Sequence, residues 1–149
     1  GVVTADCVPI LVYNRAKIIA CIHAGWKGAV GGIIENTIKR IRKISKNKKI
    51  YACLGPCIGN KSYEVDDNFY LKFLSKSKKN KRYFLFKNKT KRLFNLRKYV
   101  ADKLKKLNVS IDHINRDTFI EKRNFFSFRR SFKLKQNDYG RCISVISLI

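Results

Sequence analysis

An α+β domain is the fold class the sequence predicts, and three observations lead to it. Apolar, β-branched runs are joined in pairs by short polar turns, as in β-hairpins. Segments with apolar residues at helical spacing are inserted between those pairs. The 149 residues make one ordinary domain, 1–149, able to bury roughly two thirds of its unfolded surface.

The elements follow in order. VPILVYN, RAK and IIACIHAG form a first hairpin. A three-residue loop, Asn14 to Ala16, sets Tyr13 opposite Lys17 and Cys7 opposite His23; a two-residue loop moves the match to Ala24. Directly opposed residues share a face, so this register brings a thiol and an imidazole together. Four glycines follow within CIHAGWKGAVGG. Each is unfavourable inside a helix by about 1 kcal/mol relative to alanine, so something is expected to approach the backbone closely there. Ile33, Ile34, Ile38, Ile41 and Ile44 then mark an amphipathic helix, with Glu35 four residues before Lys39. KKIYACLG is a strand, GPCIGNKS a loop, and YEVDDNFYLKFL a second helix with acidic residues at its start. RYFLF and KRLFNL flank KNKT as a second hairpin. Leu96, Val100, Leu104 and Leu107 mark a third helix, with Asn95 as its cap. From Phe125 onward, FFSFRR and GRCISVISLI are expected as two more strands.

Thirty-four Lys and Arg against ten Asp and Glu give a net charge of +24. Such a charge favours phosphate, nucleic acid or an anionic surface. Lys is accompanied throughout by Asn and Ile, however, and KISKNKK and SKSKKNKR have the composition of solvated loops. Compositional drift is therefore favoured over a dedicated nucleic-acid surface. The apolar runs fall far short of the ~20 residues that span a bilayer, and no secretory h-region opens the chain. A cytoplasmic protein is expected. Five cysteines without a CxxC pair argue against a disulfide framework and against a ribbon-type zinc site. There is no Met, even at the start, so the sequence is expected to begin after processing or partway through a longer protein.

Cys7 and His23 are the candidate chemical pair. Thiolate and imidazole are good ligands for a borderline-soft ion such as zinc, at about 2.3 Å from sulfur and 2.0–2.1 Å from nitrogen. The same two residues would also serve as nucleophile and base, or as a buried thiol beside an unrelated histidine. Asp6 is placed either to orient one of them or to hold the turn. Trp26 is a stacking wall or an ordinary core residue. Lys27 stands at a helix start, where free N–H groups favour anions.

TADCVPIL, HAGWKG, GPCIGNKSYEV, and finally FFSFRR with YGRCISVISLI, in that order from about residue 2 to the end, resemble the YfiH family. That family was long labelled laccase-like or multicopper polyphenol oxidase and is now regarded as purine nucleoside phosphorylases. The resemblance implies an α/β/β/α sandwich, two sheets between helical layers. It implies a metal-dependent enzyme that phosphorolyses adenosine, inosine and methylthioadenosine and deaminates adenosine. Purine nucleoside and phosphate are the implied partners. The family zinc is held by two histidines and one cysteine: Cys7 matches the cysteine of TADC and His23 the histidine of HAGW. The third ligand, a histidine upstream of TADC, has no counterpart because the chain starts at Gly1. Arg129, Arg130 and Arg141 match recurrent family arginines, and a guanidinium is suited to holding phosphate.

This sequence also departs from the pattern. Lys27 stands where the family usually has Arg, Asp117 replaces a cysteine before Thr118, and Asn95 replaces an acidic residue. Cys21, two residues before His23 and so on the same side of a strand, is a better substitute third ligand than His113, which is expected on the surface or in a strand. Zinc is preferred to copper, since a blue-copper site needs two His, a Cys and often Met, and the chain holds two His in all. Two alternatives stand beside the phosphorylase reading: a Cys-His hydrolase or deamidase, and a basic nucleic-acid-binding domain without catalysis.

Overall fold

A computed structural model describes residues 1–45 and 49–149; the middle of KISKNKK, expected as a solvated loop, lies outside the described residues. In chain order the elements are β1 (Val2–Thr4), β2 (Val8–Asn14), β3 (Ile18–Ala24), α1 (Trp26–Val30), α2 (Ile33–Ile44) and β4 (Ile50–Leu54). There follow β5 (Glu64–Asp66), α3 (Asp67–Lys76), a 3-10 segment (Lys78–Tyr83), β6 (Phe84–Asn88) and β7 (Lys91–Phe94). The remainder comprises α4 (Leu96–Lys106), β8 (Ser110–His113), α5 (Phe128–Lys133) and β9 (Cys142–Ser144). The architecture is mixed α+β.

The central sheet has the order β3-β2-β4-β8, with β4 and β8 parallel and the other pairs antiparallel. Period-2 alternation decides its faces. Val8, Ile10, Val12, Ile22, Ala24, Ile50 and Leu54 point to one side and are almost wholly buried. There they join Ile34, Ile38 and Ile41 of α2 and Leu96, Val100 and Leu104 of α4 in one core cluster. Each fully buried Ile or Leu contributes about 1.5–3 kcal/mol. On the opposite face Leu11, Cys21 and Cys53 are half-buried, and Tyr13 and His23 are exposed.

A second sheet, β5-β7-β6, packs beside α3. Its contact is aromatic: Phe69, Phe73, Phe84 and Phe94 lie with ring centroids 4.8–6.2 Å apart, a spacing that adds to the area term. Trp26 meets Phe69 edge-on at 4.8 Å, so its role is packing. A third, two-stranded sheet pairs β1 with β9 and ties the first residues to the last.

Several expectations need correction. The first hairpin turns over Arg15 to Lys17, because Asn14 remains in the sheet opposite Ile18. Asn14 is fully buried and bonded to Ser45, to the Lys49 carbonyl and to the Ala16 amide, and Lys17 closes the turn at φ 56°. The register therefore places Pro9, and not Cys7, opposite His23. Only the later part of YEVDDNFYLKFL is helical: Glu64–Asp66 pairs with β7, and Asp66 caps α3 by accepting the Phe69 amide at 2.7 Å. SKSKKNKR is a 3-10 turn over much of its length. FFSFRR, expected as a strand, ends in helix α5, for reasons that lie at the site.

Candidate functional site

Asp6 is the hub of the site. Its φ of 82° turns the chain sharply between β1 and β2, a left-handed conformation that Asp tolerates better than most residues. The turn sends the carboxylate inward, where it is 8% exposed. It accepts the Thr118 hydroxyl at 2.7 Å, the Ser127 hydroxyl at 3.0 Å and the Arg129 amide at 2.6 Å. Its carbonyl accepts the Ile58 amide at 3.0 Å. One residue thus joins the GPCIG loop, the 117–127 segment and the first turn of α5. Ser127 completes that turn by accepting the Arg130 amide at 3.1 Å. A helix start with no acidic residue of its own is stabilised by a carboxylate borrowed from residue 6. Alternation in the local sequence carries no sign of this.

Cys7 follows immediately, and its sulfur rests against Gly25. A Cβ added at Gly25 would stand 2.8 Å from Sγ, closer than any normal contact, so the first glycine of HAGWKG is glycine because the thiol occupies the space. This explains one of the clustered glycines; Gly32, at φ 92° ahead of α2, explains another by its backbone. Burial, and then the Asp6 charge, push the Cys7 thiol up to about 11. A thiol kept neutral in this way is a weak nucleophile at neutral pH, which weighs against the Cys-His hydrolase reading. A cation at the sulfur would reverse the balance.

His23 is exposed near the end of β3, two residues before the glycine that Cys7 touches. Lys27 is exposed in the five-residue α1, its ammonium 5.7 Å from the Trp26 ring. Arg129 lies on the Cys7 side: its guanidinium donates to the Glu64 carbonyl at 2.5 Å and sits 5.1 Å from the Tyr63 ring. Burial pushes the Tyr63 hydroxyl up to about 12, against the opposing pull of Arg129. Arg130 donates to the carbonyls of Thr118, Phe119 and Phe125 at 2.6–2.9 Å, which makes it the brace of the preceding loop. Arg141 is exposed, 4.5 Å over Tyr139. Cys21 sits in mid-strand opposite Leu11, and His113 is exposed at the end of β8.

A metal at this place is tested by the donor set. Among the described residues no group of three His, Cys, Asp or Glu side chains is arranged to hold an ion. Cys7 and His23 are donors of the right softness, but a catalytic zinc takes three protein ligands. These residues therefore supply two donors and do not close the site. Neither Cys21 nor His113 completes it. Tyr63 lies within GPCIGNKSYEV, but its pairing with Arg129 is made only by the tertiary structure, so no local signal marks it.

Known proteins resemble this chain over most or all of its length. Residues 1–149 match the family described as multi-copper polyphenol oxidoreductase laccase. A purine nucleoside phosphorylase of Rickettsia conorii is 41% identical over 149 residues, 98% of this chain and 62% of that protein. An adenosine deaminase, RL5, from an unknown prokaryotic organism is 45% identical over 69 residues, 45% of this chain and 26% of that protein. The crystal structure of YfiH from Bacillus licheniformis superposes with a TM-score of 0.78 at 28% identity, covering 87% of this chain and 51% of that one. The chain spans about three fifths of the R. conorii relative's length. With all four of its motifs on one mixed α+β fold and the family match running its full length, the chain belongs to the YfiH, or laccase-like, family.

Proposed function

We propose that this chain carries a large part of a purine nucleoside phosphorylase, with Cys7 and His23 as two of the ligands to a zinc ion. The observation that carries the reading is the seating of Cys7 Sγ against Gly25 of the HAGW segment, while Asp6 ties α5 and Arg129 to the same corner. Phosphorolysis moves a ribosyl group from a purine nitrogen to a phosphate oxygen. It needs an anion pocket beside the nucleoside and exclusion of water. Arg129, held by the Glu64 carbonyl, keeps further N–H donors for phosphate; Lys27 and Arg141 add positive charge; Arg130 fixes the 118–125 loop. Tyr63, kept as a neutral phenol, offers a flat face and a hydroxyl to the substrate. Zinc, when bound, supplies Lewis acidity and a water of lowered pKa, the chemistry that adenosine deamination requires. The reading places the protein in the cytoplasm, where thiols stay reduced.

Adenosine and inosine are assayed with phosphate, for ribose 1-phosphate and for ammonia, before and after zinc is removed and restored. Cys7→Ala is expected to lose bound zinc and to lower turnover by about 100-fold or more, since weakening the ligand set costs at least that of an outer partner. Equal turnover in wild type, Cys7→Ala and the zinc-free protein refutes the assignment.

A further inference from the structure

A second feature adjoins this corner. A cleft of about 1040 Å³ opens between the first turns of α4, the 58–64 loop and the 113–120 segment. None of Cys7, His23, Lys27, Arg129, Arg130 or Arg141 lines it. Seven basic side chains and three acidic ones do, and the acids are already engaged. Glu64 pairs with Lys87, Asp102 with Arg82, and Asp117 accepts the Ser62 hydroxyl at 2.6 Å and the Phe119 amide. Lys61, Lys98 and Lys105, by contrast, form no ion pair among the described residues.

We propose that this cleft binds the phosphate groups of a nucleotide or of a nucleic-acid strand. Two independent features favour an anion there. The first turn of α4 carries Arg97 and Lys98 and no acidic residue. Cations at the positive end of a helix dipole are unfavourable unless an anion sits among them. Arg97 is also pre-positioned: it donates to Asn115 and, at 2.7 Å, to the Arg116 carbonyl, so its planar fork is held at the wall of the cleft. The second feature is the set of lysines without an ion pair, Lys61, Lys98 and Lys105, gathered on the same wall as Arg97 and His113. The volume is at the upper end for a small-ligand pocket, and large enough for a nucleotide. Phe119 and Ile120 supply an apolar wall beside the charges.

The test is binding, read without turnover, so its failure is separable from failure of the phosphorylase reading. Fluorescein-labelled oligothymidylate is titrated with protein at about 150 mM salt, and unlabelled pyrophosphate is used as competitor. Lys61→Glu/Lys98→Glu is compared with Lys39→Glu/Lys43→Glu, which changes net charge equally on the exposed side of α2. The cleft variant is expected to weaken binding at least about tenfold, and the α2 variant less than about twofold. The neutral Lys61→Gln/Lys98→Gln variant is expected to fall between. Displacement by pyrophosphate near its own dissociation constant assigns a small phosphate ligand; displacement only at large excess assigns a strand. Equal loss in the two charge-reversal variants, or no saturable binding of either probe, overturns the proposal.

Discussion

Gly25 and Cys7 share one space, and the sharing makes a prediction. Gly25→Ala places a methyl where Sγ lies, at 2.8 Å, and overpacking of this kind costs about 1–3 kcal/mol. The backbone itself is not the obstacle, since Gly25 has φ −75°. In a Cys7→Ala background the same substitution is expected to lose most of that cost. Urea unfolding of the four proteins measures the coupling, and additive effects would mean that the two residues do not touch. Asp6 makes the stronger demand. Three donors converge on its buried carboxylate, so Asp6→Ala leaves them without a partner in a buried place. A loss of about 3 kcal/mol is expected, with α5 and the 117–127 segment exchanging amide hydrogens first.

At the scale of elements, α5 shows what alternation in a sequence cannot tell. FFSFRR has the aromatic alternation of a strand, yet Ser127 and Asp6 satisfy its first amides and the segment winds into a helix. The cap on α4 was visible in advance: Asn95 accepts the Lys98 amide at 2.9 Å, and Asn95→Ala is expected to lower stability by about 1 kcal/mol. The 116–125 segment is pinned differently. The Arg116 guanidinium, and then the Asp117 amide, hold the Glu121 carboxyl down to about 2 from its ordinary 4.5. A carboxyl depressed in the folded state stabilises it above the unfolded value and ceases to do so as pH falls through the folded one. Glu121→Gln is therefore expected to lower the melting temperature at pH 7. The difference from wild type should shrink between about pH 4.5 and 2; a difference that persists unchanged at pH 2 would contradict the pairing.

Over the whole molecule, the net charge of +24 opposes compaction. Ten acidic side chains cannot neutralise thirty-four basic ones, and surface pairs such as Arg82–Asp102 contribute only about 0–1 kcal/mol each. Screening weakens the remaining repulsion, so raising salt from about 20 to 200 mM is expected to raise the melting temperature. A fall on adding salt would mean that attractive pairs dominate. No helix among the described residues is long and apolar enough to cross a membrane.

What the sequence determined by itself was local or motif-borne: the apolar stripe of α2, the strands of the central hairpin, the Asn95 cap, and the family, whose four motifs stand in order. Each is written in neighbouring residues, where periodicity and capping chemistry act over a few positions. Tertiary structure decided the rest. The hairpin register depended on Asn14 finding Ser45 and the Lys49 carbonyl, more than thirty residues away. The seating of Cys7 depended on the turn at Asp6, and the helicity of α5 on a carboxylate more than a hundred residues earlier. The basic cleft likewise gathers residues 61, 98 and 105 around one hollow. Contacts between residues so distant in the chain form only when the folded core has already offset the entropy of closing the loops between them, so no local pattern encodes them.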